Sequence, residues 1–201
     1  MFELSAIAVA YFLGSIPSGF LLSRRRGIDL RAAGSGNVGA SNVLRTTGAV
    51  AALVTMGLDV AKGAAAVLIA QSLSSEAAIA PAAGLAAIAG HVYPVWLRFR
   101  GGKGVATAAG AFGVLAPVPA AVAVLVFVAV VWRTRYVSVG STAAAAALVL
   151  MLGLGGAPAP VLAAGAAAAV LIAHRHRANF ARLRGGTEHR VGEIGAVELM
   201  S

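Results

Sequence analysis

The sequence has 201 residues, of which 59% are hydrophobic and only 11% charged, with a formal net charge of +9 and no cysteine. Soluble domains carry roughly 25% charged residues, so the chain has too little polar side chain to cover a water-soluble globule, and lipid is the solvent that tolerates such a surface. The absence of cysteine excludes disulfides, thiolate nucleophiles and Cys-based metal sites together.

Apolar runs at 2–22, 49–71, 77–97, 104–116, 118–132, 138–157 and 158–174 predict an all-α, polytopic membrane protein of seven transmembrane helices in one embedded domain, followed by a tail at 175–201. The first run has no basic stretch before it and arginines after it, which suits a retained span. Several runs hold about 20 residues, enough to cross a ~30 Å hydrocarbon core. Residues 104–132 are read as two short helices, because Pro117 and Pro119 sit in the middle and proline removes a helical hydrogen bond and clashes with the preceding turn. The alanine runs 143–147 and 163–169 are expected to be packing faces, since small residues let membrane helices approach closely. From Glu188 onward the sequence has little apolar periodicity and reads as a free end.

Charge supports the hairpin. Every Lys and Arg except Lys62 lies in one of four stretches: Arg24 to Arg45, Arg98 to Lys103, Arg133 with Arg135, and Arg175 to Arg190. A break within 104–132 puts all four on one side of the membrane. The positive-inside rule then sets the N-terminus outside and the C-terminus in the cytoplasm. Because these residues sit between apolar runs, the expected partners are membrane lipid headgroups and anionic substrates, with no nucleic acid.

The same four stretches hold the chemistry-bearing residues. In the first, Gly34, Gly36 and Gly39 form a literal G-x-G-x-x-G, but no strand precedes it and Asp59 lies in an apolar span, so the dinucleotide reading fails. What remains is a glycine-rich turn whose bare N–H groups can converge on an anion. Ser35, Asn37, Ser41 and Asn42 add donors, and Arg45 adds a charge that can hold phosphate by two parallel bonds. In the second, Lys103 stands among Gly101, Gly102 and Gly104 ahead of Thr107. This is no Walker A loop, yet it lies at a helix start, where unpaired N–H groups favour anions. In the third, Ser138 and Ser141 are helix caps or hydroxyl donors. In the fourth, His176 and Asn179 share a helix face at i, i+3. His174 and His176 resemble a fragment of a metal site, but no carboxylate or cysteine is near and no metal is expected. Asp59 and Lys62, inside the second span, are either a structural ion pair or catalytic.

Gly34-Ser35-Gly36-Asn37-Val38-Gly39-Ala40-Ser41-Asn42-Val43-Leu44-Arg45 and Gly101-Gly102-Lys103-Gly104-Val105-Ala106-Thr107 closely resemble motifs of the bacterial acyl-phosphate-dependent glycerol-3-phosphate acyltransferases, the PlsY type. The stretches Gly14–Gly19, Leu58-Asp59 with Lys62-Gly63, Gly90-His91 with Pro94, and His176 with Asn179, Arg182 and Leu183 resemble that family too. Ser41 stands where the family commonly has threonine. The resemblance implies a site facing the cytoplasm of a bacterial cytoplasmic membrane. It implies transfer of a fatty acyl group from acyl phosphate to the sn-1 hydroxyl of glycerol 3-phosphate, giving lysophosphatidic acid and phosphate, the first step of bacterial phospholipid synthesis. By resemblance, Arg45, Lys103 and Ser141 hold glycerol 3-phosphate with His176 and Asn179 beside them. Ser35, Gly36, Asn37 and Ser41, with Gly102, cradle the acyl phosphate head, and Gly34, Gly39, Asn42, Gly104, Thr107 and Ser138 complete the binding set. No cofactor or metal is implied, and a monomer is favoured. The competing class is a transporter or binding protein for a small organophosphate, which should show a polar path through the bilayer and often an internal repeat of spans.

Overall fold

The computed structural model describes residues 2–192, and every regular element among them is helical. The first predicted span is not one helix. It is α1 (Phe2–Gly14) and α2 (Ser18–Arg24), broken around Pro17. Proline cannot donate, and it pushes the residue before it out of helical conformation. The break frees the Ile16 carbonyl, which accepts a hydrogen bond from Lys62 Nζ at 2.9 Å.

A short helix, α3 (Ala40–Thr46), follows the glycine-rich turn, and α4 (Ala49–Leu73), at 25 residues, is the longest among the described residues. Within the third predicted span, α5 (Ile79–Val92) stops before Pro94 and a 3-10 turn at Val95–Leu97 completes it. Next come α6 (Val105–Leu115) and α7 (Pro117–Thr134). Between them Ala116 leaves helical geometry at φ −153°, ψ 75°, and Pro117 takes the first position of α7, where a missing N–H removes no hydrogen bond. α8 (Val137–Leu154), α9 (Ala159–Arg175) and α10 (Arg177–Arg184) complete the described chain.

Among the described residues, five helical segments are long and apolar enough to cross a membrane: 3–24, 49–73, 79–97, 117–134 and 137–154. α9 reaches that standard only together with α10, across a 47° bend, and α6 is shorter. Large apolar side chains such as Leu4, Leu125, Trp132 and Val170 stand exposed on the outer surface, as lipid-facing residues do. Inside, the bundle is built on small residues. A Cβ on Gly63 of α4 would run into the Thr107 carbonyl of α6, and one on Gly110 of α6 would run into the Val60 carbonyl of α4. These two helices therefore pack backbone to backbone. Val161, Ala164, Gly165, Ala168 and Ile172 form the buried stripe of α9, and Ala144, Ala145, Leu148 and Leu152 that of α8.

The reading of a free end from Glu188 needs correction in part. Residues 193–201 lie outside the described residues. Residues 188–192 are held against the start of α8: Val191 N–H donates to the Arg135 carbonyl at 2.8 Å, and Arg135 Nε donates to the Val191 carbonyl at 3.0 Å.

Candidate active site

The glycine-rich turn is organised by Asn42. Its Oδ1 accepts the Ser35 N–H at 2.8 Å, and its Nδ2 donates to the carbonyls of Leu30 (3.2 Å) and Ala33 (3.0 Å). Gly34 has φ +58°, and a Cβ there would collide with the Asn42 amide; only glycine fits both constraints. Asn37 Oδ1 accepts the Gly39 N–H at 2.8 Å, closing the next bend. Asn42, expected to offer its amide to a substrate, instead commits both ends of it to the loop. Arg45, in the last turn of α3, is half-buried, and its Nε is a buried donor with no partner among the described residues. Desolvation lowers the pKa of its guanidinium.

The second turn is held from two sides. Gly101 N–H donates to the Val92 carbonyl and Gly102 N–H to the His91 carbonyl, each at 3.0 Å. Arg175 closes the other side, donating to the carbonyls of Gly101 (3.1 Å) and Gly102 (3.4 Å). Gly102 is glycine because a Cβ would enter the His91 ring. Beneath it, Asp59 Oδ1 pairs with Lys62 Nζ at 2.8 Å, and Lys62 Nζ lies 2.9 Å from His91 Nδ1. This buried cluster joins α4 to α5 and, through Ile16, to the α1–α2 break.

The turn delivers Lys103, whose Nζ donates to Asn179 Oδ1 at 2.6 Å. Desolvation brings the Lys103 pKa down to about 8; Glu188 opposes the fall, while Arg182, Arg45 and Arg175 add to it. Lys103 is still mostly charged at neutral pH, and poised to bind an anion. His176 sits at the bend between α9 and α10, 1% exposed. Its Nδ1 lies 2.8 Å from the Ile172 carbonyl. A carbonyl only accepts, so Nδ1 carries the hydrogen and Nε2 is the free acceptor. Burial first, and then the Lys103 charge, lower its pKa to about 4, so the ring is neutral at pH 7. Ser141 Oγ donates within its own helix to the Val137 carbonyl at 2.8 Å, and Ser138 Oγ donates to Glu188 Oε1 at 2.9 Å.

These side chains meet at the head of one cavity of about 930 Å³. Ser35, Asn37, Gly39, Ser41, Asn42, Arg45, Lys103, Gly104, Ser138, Ser141, His176 and Asn179 all line it. Its body is apolar, walled by Met56 and Val60 of α4, Phe112 of α6, Val124 and Phe127 of α7, and Leu148 of α8. Leu53, Met56, Val124 and Val128 line the cavity and are also exposed on the outer surface, so it opens sideways between α4 and α7.

A family model described as glycerol-3-phosphate acyltransferase matches residues 4–186. The chain belongs to the glycerol-3-phosphate acyltransferase family. A glycerol-3-phosphate acyltransferase of Rubrobacter xylanophilus is 50% identical over 117 residues, 58% of this chain and 59% of the relative. One of Geobacter sulfurreducens is 51% identical over 116 residues, 58% of this chain and 60% of the relative. The matched stretch thus spans about three fifths of those curated relatives. Among solved structures, the glycerol 3-phosphate form of PlsY, an integral membrane glycerol 3-phosphate acyltransferase, aligns with a TM-score of 0.91 at 40% identity over 98% of each chain. Its lysophosphatidic acid form aligns at 0.89 and 39% identity, over 97% of this chain and 98% of that one.

Within this acyltransferase-family site, four of the sequence-predicted residues do not line the cavity. Gly34, Gly36 and Gly102 shape the two turns. Thr107 is fully buried in the α4–α6 contact, where its carbonyl faces Gly63. Conversely, Glu188 and His91 line the cavity, while Arg175 and Arg182 brace it from behind, without having been expected there. One sequence signal pointed to Glu188: it is the one carboxylate between Glu76 and Glu193.

Proposed function

We propose that the chain is a membrane acyltransferase that moves a fatty acyl group from acyl phosphate to the sn-1 hydroxyl of glycerol 3-phosphate, releasing lysophosphatidic acid and inorganic phosphate. The observation that carries this reading is a single cavity with a cationic, hydroxyl- and amide-lined head and an apolar body open toward lipid. Such a shape suits molecules with a phosphate at one end and a long hydrocarbon tail at the other. A transporter would need a polar route onward through the bilayer, and the apolar body of this cavity argues against one.

In this reading, Arg45, Lys103 and Ser141 hold glycerol 3-phosphate with Asn179 and His176 alongside. The Ser35–Ser41 turn receives the acyl phosphate head. The glycerol hydroxyl oxygen attacks the acyl carbonyl carbon. A new ester C–O bond forms, the C–O bond to phosphate breaks, and the hydroxyl proton leaves. The donor is already activated, so neither an acyl-enzyme nor a cofactor or metal is called for. With a pKa of about 4, His176 is a weak proton acceptor, which favours a phosphate oxygen of the donor in that role. Its Nε2 is suited to align the hydroxyl by accepting a hydrogen bond. The protein contributes proximity and charge stabilisation, the largest effects available to it.

The same reading includes seven spans in one embedded domain, with the N-terminus outside and the site facing the cytoplasm of a bacterial membrane. The break at Ala116–Pro117 supports it, because a turn there is what the shared side of all four basic stretches requires. At 11 residues, α6 reaches only about 16 Å at 1.5 Å per residue. It packs against α4, α5, α7 and α9, which shield it. The test supplies purified protein with acyl phosphate and glycerol 3-phosphate. Lysophosphatidic acid and phosphate are expected in equal amounts, and none with acyl-CoA as donor. Acyl transfer from acyl-CoA, or no transfer from either donor, contradicts the reading.

A further inference from the structure

Glu188 has no part in the chemistry above, yet its side chain is only 5% exposed and it sits in a cationic site. Its Oε1 accepts from Asn179 Nδ2 at 2.6 Å and from Ser138 Oγ at 2.9 Å, and its Oε2 accepts from Arg182 Nε at 2.8 Å. On the other side of Asn179, Oδ1 accepts from Lys103 Nζ at 2.6 Å. A lysine only donates and a carboxylate only accepts, so one orientation of the Asn179 amide satisfies both neighbours. The segment carrying Glu188 is tied down at each end. Thr187 N–H donates to the Arg182 carbonyl at 2.8 Å, Val191 pairs with Arg135, and Arg190 Nε donates to the Tyr136 hydroxyl at 2.9 Å.

We propose that Glu188 is a positioning residue for acyl transfer: by fixing the Asn179 amide, it fixes the place of the Lys103 ammonium at the phosphate head of the cavity. The proposal rests on the acyltransferase reading. Lysine is a point charge on a flexible four-carbon stem, and its value in a transition state depends on being in place beforehand. Asn179 gives Lys103 a fixed acceptor. Glu188 keeps that acceptor from flipping, because the flipped amide would turn its NH₂ toward Lys103 and its oxygen toward a carboxylate. The opposite reading of the same contacts is a strap whose carboxylate occupies the anion site and competes with substrate.

Four variants separate these readings in the acyl-transfer assay. Glu188→Ala is expected to lower kcat by about 10- to 100-fold, as a misplacement of a working group by about 1 Å does, and also to lower the thermal unfolding midpoint in detergent, because Asn179, Ser138 and Arg182 lose their acceptor. Glu188→Gln keeps an acceptor oxygen for Asn179 and Ser138 and is expected to recover most of that loss. Glu188→Asp keeps the charge but falls one methylene short of Asn179, and is expected to remain impaired even if the alanine variant is too unstable to purify. In the double variant with Asn179→Ala, the Glu188→Ala loss is expected to vanish, since both act through one side chain. A lower KM for glycerol 3-phosphate or a higher kcat in Glu188→Ala overturns the proposal in favour of a blocking strap. Full activity in Glu188→Asp with loss in Glu188→Gln overturns it in favour of charge alone, and multiplicative losses with Asn179→Ala overturn the coupling. Wild-type protein is the control: no transfer by wild type sinks the acyltransferase reading, whereas an active wild type with an unimpaired Glu188→Ala sinks the positioning role alone.

Discussion

Lys103 meets two opposing demands. In the proposed reaction burial lets it act on a phosphate with little screening, but burial among Arg45, Arg175 and Arg182 also weakens its hold on its proton, bringing the pKa to about 8. The ammonium is present below that value and lost above it. The kcat/KM for glycerol 3-phosphate is therefore expected to fall as pH rises through about 8, and Lys103→Arg, whose guanidinium stays charged, to move the falling limb to higher pH. A pH–rate profile in which the two proteins share one alkaline limb would rule this out. His176 carries the contrary expectation. Because its ring is neutral and weakly basic, His176→Gln should lose far less than the ~10²–10⁴ in kcat that a working base contributes. Single-turnover rates measure this, and a loss within that range would make His176 the base. Residue by residue, cations and glycines were legible because each has a local signature. Arg175 was not, because it works through the carbonyls of Gly101 and Gly102 in a distant turn, and Glu188 was not, because only the folded turn after α10 brings it back onto Asn179, Arg182 and Ser138. Asn42 was legible as polar, but nothing local revealed that the Ser35 turn consumes its amide.

Among the elements, the α4–α6 contact and the α6–α7 break matter most, since together they set the cavity wall. Gly110→Val puts side-chain atoms against the Val60 carbonyl and is expected to destabilise the protein by about 1–3 kcal/mol or more, the usual range for overpacking. Gly113→Val, on the same helix but with open space around its Cβ position, should change the unfolding midpoint little. Equal effects of the two substitutions would contradict the packing described. The break at Ala116 was readable from Pro117, Pro119 and the charge pattern. The break at Pro17 was missed because the apolar run continues across it, and hydropathy registers composition rather than hydrogen bonding. The small helix α3 escaped notice because it is short and no long apolar run marks it, whereas the start of α10 was implied by the i, i+3 spacing of His176 and Asn179. The third span was legible to 97, but its switch from α-helix to a 3-10 turn at Pro94 was not, because Val95, Trp96 and Leu97 continue the apolar run.

Across the bundle as a whole, every basic stretch is expected to face the cytoplasm. The natural chain has no cysteine, so single cysteines report without background. Ser75 and Arg184 are both exposed and lie at opposite ends of the bundle in this topology. A membrane-impermeant thiol reagent should label Ser75→Cys in intact cells and Arg184→Cys only after the membrane is opened; the reverse pattern would invert the orientation. The expectation that all four basic stretches share an end came from charge together with the Pro117 and Pro119 break, whereas the cavity between α4, α6, α7 and α8 was not legible, because periodicity does not say which helices are neighbours. Arg45 and Lys103, 58 positions apart in the chain, are expected to form one phosphate site. Calorimetric titration of purified protein with glycerol 3-phosphate alone tests it most directly. Saturable binding is predicted for wild type, weakened by about 10-fold or more in both Arg45→Ala and Lys103→Ala, since a hydrogen bond to a charged group contributes about 1.5–3 kcal/mol. Undiminished binding in either variant would contradict the shared site.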